Sequence, residues 1–284
     1  MLKTYIPWWM KLSAKVVLSR FPIPYNFWKS FALISHGSMD EPSYAYQVFS
    51  QHFNRFQPPK KDFVSLELGP GDSLFSALIS KALGGRKSYL VDVGDFASKK
   101  LAKYQPMIKF LKDKNLPIEG IENCRNLTEL LESCSASYLT SGLASLKDIP
   151  DSSVDFVWSH GVIELIKRAE VLDTLKELRR IIKPNGICSH LIPLVDSLGE
   201  LNSLRFSQNV WESDLMANSG FYANRLRYSQ LLELFKEVGF ATEVVEIRRW
   251  DALPTPKSKL SEEFSTLSDE ELNIYSFSVI LQPA

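Results

Sequence analysis

A Gly-Pro-Gly turn with acidic residues on both sides is the stretch of the chain whose chemistry is most readily stated. Glu67 lies two residues before Gly69, Gly71 closes the turn, and Asp92 ends the next apolar run. Because glycine has no Cβ, the turn predicts a ligand in close contact with the main chain. A carboxylate at this turn repels phosphate and suits a cationic or hydroxyl-bearing ligand, and an acid at a second strand end suits a ribose diol.

The turn does not fit two common phosphate-binding sites. A dinucleotide fingerprint has a third glycine where the helix packs on the strand, and Leu74 occupies that position. No Gly-Lys-Ser/Thr follows the turn, which disfavours a P-loop.

The elements that must position these residues are indicated by hydrophobic periodicity. A β-branched apolar run from Phe63 leads into the turn, and the apolar spacing of Ser73 to Leu83 is typical of a helix. Later strands are predicted at Ser88–Val91, Tyr138–Thr140, Asp155–Ser159, Ile187–Ile192, Thr242–Arg249 and Tyr275–Leu281, and later helices at Ala169–Ile182 and Tyr228–Val238. Lys183-Pro184-Asn185-Gly186 is predicted to stop a helix and turn into a strand.

The order of four pieces resembles the class I S-adenosylmethionine (SAM)-dependent methyltransferases. These pieces are Glu67 to Gly71, Asp92, Leu146 to Val157 and Glu177 to Gly186. The resemblance implies an α/β fold with a doubly wound, seven-stranded Rossmann-like sheet and SAM over the carboxyl ends of its strands. It implies SAM binding through Glu67, Gly69, Gly71 and Asp92. We divide the chain into an N-terminal helical, aromatic extension (1–55) and a methyltransferase domain (56–284), without a separate second domain.

Two further strand ends are expected to contribute to this site. After the third strand, Gly142 is followed by Leu143, where the resembled family often has an acid that binds the adenine amino group. Leu143 cannot make that bond, so we expect apolar packing, a backbone group or another side chain to recognise adenine. The fourth strand is expected to bring Ser159 and His160 beside the reactive methyl group, with Ser159 among the cofactor contacts.

His160 is the predicted general base, because an unperturbed imidazole has a pKa near neutrality. A helix-capping or sheet-edge role for it is the competing interpretation. Asp196 and Asp95 are the alternative bases. A carboxylate pair could hold a divalent ion, but no residue spacing calls for one, and we predict no metal site.

A polar and aromatic segment follows the fifth strand, and we expect it to form a lid at 193–227. Tyr222, Asn224 and Arg225 are its predicted acceptor-binding residues, with solvated surface groups as the alternative. The stretch from Ser219 to Arg227 resembles bacterial methyltransferases of cell-surface polysaccharide assembly, which implies a saccharide hydroxyl as the methyl acceptor. The alternatives are a phenolic or isoprenoid-linked small molecule, or a SAM-binding protein without catalysis.

Composition bounds the partners. The 284 residues include 33 Lys+Arg and 33 Asp+Glu, a balance that gives no support for nucleic acid as a partner. The three cysteines have no paired or CxxC spacing, so the reducing cytoplasm is the expected compartment.

Residues 1–39 hold five Lys/Arg and no acid, together with Trp8, Trp9 and Trp28. This segment is expected to form either a packing cap or a peripheral membrane contact at the inner face.

Overall fold

The computed structural model describes residues 7–18, 38–56, 61–195, 198–219 and 222–284. The first helices are α1 (Trp8–Leu18) and α2 (Pro42–Phe53), and β1 (Phe63–Leu68), α3 (Phe75–Ala82) and β2 (Gly85–Val91) surround the glycine turn. The remaining elements, in chain order, are α4 (Gln105–Asp113), α5 (Leu127–Ser133), β3 (Ala136–Leu139), α6 (Leu143–Lys147), β4 (Val154–His160), α7 (Arg168–Ile181), β5 (Ile182–Pro193), α8 (Gln208–Trp211), α9 (Asp214–Ala217), α10 (Tyr228–Glu237), β6 (Phe240–Arg249), α11 (Glu262–Ser265), α12 (Asp269–Asn273) and β7 (Ile274–Pro283).

The seven strands form one sheet in the order β3-β2-β1-β4-β5-β7-β6. The pairs β1–β2, β2–β3, β1–β4 and β4–β5 are parallel, whereas β7 runs antiparallel to both β5 and β6. The sheet order turns back between β1 and β4, which is the switch point where α/β sheets bind ligands. The predicted seven-stranded, doubly wound fold is confirmed.

Each face of the sheet is covered by its own apolar core. The core on one face joins α2, α3 and α4 to the sheet through an aromatic group that includes Phe49, Phe53 and Phe156. The core on the other face joins α7 and α10 to the sheet, with Leu175, Leu178 and Phe235 fully buried. Since α2 packs in the first core, the predicted boundary between residues 55 and 56 cuts through a packed unit.

One element differs clearly from the sequence-based expectation. β5 begins at Ile182, and its span includes Lys183 to Gly186, which were expected to form a turn. These four residues form a bulge, because the β4–β5 register passes directly from Val154–Ile182 to Phe156–Ile187. The Lys183 ammonium lies 2.7 and 2.8 Å from the two carboxylate oxygens of Asp155 on β4. A Cβ on Gly186 would lie 2.8 Å from the Asp155 carbonyl oxygen, so glycine permits the close approach of the two strands.

Candidate active site

The turn between β1 and α3 has the backbone that only glycine adopts readily. Gly69 and Gly71 have φ angles of 75° and 64°. A Cβ on Gly69 would lie 2.5 Å from the Val162 side chain. The Gly71 N–H donates to the Asp92 carboxylate at 2.9 Å, and the Gly69 N–H donates to the Val91 carbonyl at 2.8 Å. The turn is therefore fixed to the end of β2, and Asp92 lies beside it.

Glu67 is a buried acid on β1, two residues before Gly69 of this turn. Its side chain accepts a short hydrogen bond from the Ser76 hydroxyl on α3. Burial raises the pKa of Glu67 to about 8, the Ser76 hydrogen bond opposes this rise, and the charge of Asp92 adds to it. Without a ligand, Glu67 therefore carries a proton at neutral pH, and a cationic ligand group would favour its ionised form.

The predicted adenine end of the site is apolar. Val93, directly after Asp92, has 75% of its side chain exposed, and Leu143 is half-buried at the start of α6. Gly142, which precedes Leu143, lies close to Val93: a Cβ on Gly142 would be 3.1 Å from the Val93 side chain. Val93 and Leu143 can therefore supply the expected apolar packing. We missed Val93 in the sequence, although an apolar residue after the strand-end acid was its signal.

The residues present fit SAM. The glycine turn presents main chain without Cβ atoms, and the Asp92 carboxylate, each of whose oxygens accepts one backbone N–H, lies beside it. Asp92 would hold the ribose hydroxyls, Glu67 would complement cationic charge, and the apolar pair would pack on the adenine. When bound, SAM supplies a methyl group already activated by its sulfonium.

His160 lies at the end of β4 within a partly buried chain of hydrogen bonds. His52 on α2 connects it to β5, with 3.3 Å between His52 Nε2 and His160 Nδ1 and 2.8 Å between His52 Nδ1 and Ser189 Oγ. The Arg55 guanidinium donates to the same Ser189 hydroxyl at 3.1 Å. Burial is the main cause that lowers the pKa of both histidines, and nearby Arg55 lowers both further. Sequence reasoning missed His52, since only the packing of α2 brings it to the sheet.

Ser159 points away from His160, in contrast to the expectation. Successive side chains of a strand alternate between the two faces of a sheet, so Ser159 and His160 lie on opposite faces. The Ser159 hydroxyl is fully buried and lies 2.7 Å from His190 Nδ1. Burial lowers the pKa of His190 to about 3, so this histidine is neutral. Ser159 is thereby placed in the core rather than beside a cofactor.

The three predicted acceptor-binding residues are used within the chain. Asn224 is 1% exposed, donates to the carbonyls of Ile163 and Ile166, and accepts from the Leu226 N–H. The Tyr222 hydroxyl accepts from the Arg168 N–H at 2.9 Å and donates to Glu212 at 2.8 Å. These bonds fasten the end of the lid to the connection between β4 and α7.

Arg225 also makes its polar contacts within the lid. Its guanidinium donates to the carbonyls of Ser203 and Phe206 and lies between the rings of Trp211 and Phe264, at 5.2 and 5.0 Å from their centroids. The structure thus gives Tyr222, Asn224 and Arg225 a structural role, because all three are buried and internal partners occupy most of their polar atoms. Asp196, like Gly220 and Phe221 of the motif, lies outside the described residues.

A small cavity of about 10 Å³ lies between the lid and the ends of β4 and β5. It is lined by Glu164, Pro193, Leu194, Val195, Ser203, Leu204, Ala223, Arg225 and Leu226. Glu164 Oε2 and Arg225 Nε are buried there and have no hydrogen-bond partner in the part of the chain that the structure describes. The cavity has about the size of one water molecule. Burial raises the pKa of Glu164 to about 8. Glu164 was not a sequence candidate, because nothing in its spacing marks it.

The described residues contain neither a cluster of metal ligands nor a membrane-spanning helix. No group of three or more His, Cys, Asp or Glu side chains within the described ranges is arranged to hold a metal ion. In the same part of the chain, no helix has the length and apolar character needed to span a bilayer.

The strand order, the glycine turn and the two strand-end acids are together the features of a class I SAM-dependent methyltransferase. Residues 66–189, which run from β1 into β5, match the family model described as a methyltransferase domain. The chain is therefore a methyltransferase that uses SAM. No curated protein matches it.

Solved structures of low identity are similar to the chain. A SAM-dependent methyltransferase from Archaeoglobus fulgidus is 16% identical, with a TM-score of 0.45 over 84% of this chain and 93% of that one. Phosphoethanolamine N-methyltransferase 2 from Haemonchus contortus is 16% identical, with a TM-score of 0.46 over 84% of this chain and 53% of that one. Geranyl diphosphate C-methyltransferase from Streptomyces coelicolor is 11% identical, with a TM-score of 0.44 over 85% and 80%.

Proposed function

We propose that the enzyme methylates a saccharide hydroxyl, with His160 as the general base. The acceptor would lie on the α2 face of the sheet, beside the carboxyl ends of β4 and β5. This proposal rests on the polar groups at the carboxyl end of that face. In it, strand side chains contact the acceptor in place of the lid residues expected from the sequence.

The polar face is defined by the sheet register. Residues paired across strands point to the same face, and His160 pairs with Leu191, which pairs with Ser278 on β7. The Ser278 hydroxyl is 1% exposed and has no hydrogen-bond partner among the described residues. Ser276 is also buried; it lies two positions before Ser278 on β7 and points to the same face. Beyond the apolar core around Phe156, the carboxyl end of this face therefore carries hydroxyl, imidazole and guanidinium groups, whereas a phenol or isoprenoid pocket would be mostly apolar.

His160 can act as a base only in one of its two neutral tautomers. Its Nε2 is free to accept a proton when its Nδ1–H donates to His52 Nε2. His52 Nδ1–H then donates to Ser189, whose two lone pairs accept from His52 and Arg55. As the acceptor oxygen takes the methyl group, its proton passes to His160 Nε2. The lowered pKa values of the pair keep both rings neutral, and so available, at neutral pH.

A membrane-presented acceptor fits the charge of the amino terminus. Residues 1–39 carry five Lys/Arg and no acidic residue, so this part of the chain would be attracted to anionic lipid headgroups. We therefore propose a lipid-linked glycan, taken at the inner face of a membrane, as the acceptor.

The acceptor is identified with labelled SAM and separated pools of envelope glycans, lipids and small metabolites. We expect label in a glycan pool, and we expect His160→Ala to remove it while SAM affinity, measured by calorimetry, is retained. Label confined to a phenolic or isoprenoid pool would refute the saccharide proposal. SAM binding without transfer to any pool would indicate a binding protein without catalysis.

A further inference from the structure

The inner face of α1 packs on the lid. Trp8, Leu12 and Val16, spaced four residues apart, belong to the same apolar cluster as Trp211 on α8 and Met216 on α9. The Trp8 ring also meets the Phe206 ring edge-on, with 6.2 Å between centroids. The helix and this part of the lid, residues 206–217, therefore share one core.

The outer surface of the same unit is unusually apolar. Nine large apolar side chains are exposed among the described residues, and five of them lie on α1, α8 and α9: Trp9, Met10, Val17, Val210 and Leu215. Trp9 and Val17 are 55% and 58% exposed. Single exposed apolar residues are ordinary, but a concentration on one small unit indicates an interaction surface.

Charge and side-chain type indicate which partner covers this surface. The sequence of residues 1–39, which includes α1, has five Lys/Arg and no acid, and this charge complements an anionic partner. Tryptophan is the side chain that favours the boundary between headgroups and acyl chains. An anionic lipid bilayer satisfies both the apolar and the charge requirement.

We propose that α1, α8 and α9 form one docking surface for an anionic lipid bilayer, which sets the lid against the membrane. The role in acceptor capture rests on the proposed function. The docking itself does not, because plain vesicles test it without any acceptor.

The test is co-sedimentation of the full chain with vesicles of phosphatidylcholine, with and without phosphatidylglycerol. We expect binding only to the anionic vesicles, weakened by added salt. The double substitution Trp9→Ser, Val17→Ser should lower the partition coefficient about tenfold or more, since it removes two apolar insertions. Leu215→Ser on α9 should lower it by a smaller factor, and its effect separates a shared surface from a tail that binds alone. Val245→Ser on β6, 45% exposed, is the matched control and should bind as the unmodified chain does.

Three results would overturn the proposal. The first is an absence of sedimentation with anionic vesicles at low salt. The second is a Leu215→Ser variant that binds as tightly as the unmodified chain, which would limit the contact to the amino terminus. The third is a lipid-free dimer that dissociates when Trp9 and Val17 are changed, because the surface would then be an interface between two copies. Calorimetric SAM binding shows that each variant is folded.

Discussion

Replacing the buried carboxyl group of Glu67 by an amide tests both the stability and the cofactor role assigned to it. In the ligand-free fold its pKa is raised to about 8, whereas in the unfolded chain it is near 4.5. Between these two values the folded chain holds a proton that the unfolded chain has lost, so stability falls as the pH rises. The loss is about 1.4 kcal/mol per pH unit.

Glu164 provides a matched comparison, because burial also raises its pKa to about 8 but it lies under the lid. From about pH 5.5 to about pH 7.5, each of the two groups should lower the free energy of unfolding by about 3 kcal/mol. Glu67→Gln and Glu164→Gln should each remove about half of the combined slope. Histidines with lowered pKa values act in the opposite direction, but the difference between variant and unmodified chain cancels them.

The assay is urea unfolding across that pH range without SAM, followed by calorimetry with SAM. Only Glu67→Gln should weaken SAM binding, by about 10- to 100-fold, because it removes a charged hydrogen-bond acceptor. A Glu67→Gln variant with the unmodified pH slope would contradict the buried, protonated state. Equal loss of SAM affinity in Glu164→Gln would contradict the placement of Glu67 in the SAM site.

Two other predictions concern the glycine turn and the histidine pair. Gly71→Val should abolish SAM binding, because a β-branched residue at a φ of 64° is strained and would distort the turn. Urea unfolding should show a stability loss of about 1–2 kcal/mol. Unchanged SAM affinity would contradict a SAM site at this turn. His160→Ala should lower turnover by a factor of about 10² to 10⁴. Turnover within a few-fold of that of the unmodified enzyme would exclude His160 as the base. His52→Leu should lower turnover with SAM affinity kept, while His52→Gln, whose amide oxygen accepts from His160 Nδ1–H, should restore much of it. With an identified acceptor, the acid limb of the pH–rate profile should lie below the ordinary histidine pKa, because His160 must lose its proton to act and its pKa is lowered.

The first half of the fold and the position of Asp92 beside the glycine turn could be predicted from the sequence because they depend on local signals. Gly69, Gly71 and Asp92 lie within one strand-turn-helix-strand unit, where spacing alone determines which residues meet. Hydrophobic period located each of the seven strands, although the ends of several differ by a few residues. The turn expected at Lys183 to Gly186 lies within the span of β5, as an unpaired bulge between the paired positions Ile182 and Ile187. Its Lys183 side chain contacts Asp155 on β4, which no local turn preference predicts.

The lid could not be predicted in the same way. Its composition of Tyr, Asn and Arg is equally compatible with ligand contacts and with internal bracing, because the same donors serve both. Only the tertiary structure shows that Asn224 and Arg225 are buried against main-chain carbonyls.

The sequence by itself determined the class of chemistry. Glycines between two acidic strand ends predict both a turn with positive φ angles and a ligand that complements carboxylates, and neither depends on distant packing. Tertiary structure alone decided what surrounds His160. His52 lies 108 residues away along the chain and Ser189 lies on another strand, so their contacts depend on how α2 packs and how β4 and β5 align. Burial, which shifts the pKa values of Glu67, Glu164 and the histidines, is likewise a property of the packed core and not of any local sequence.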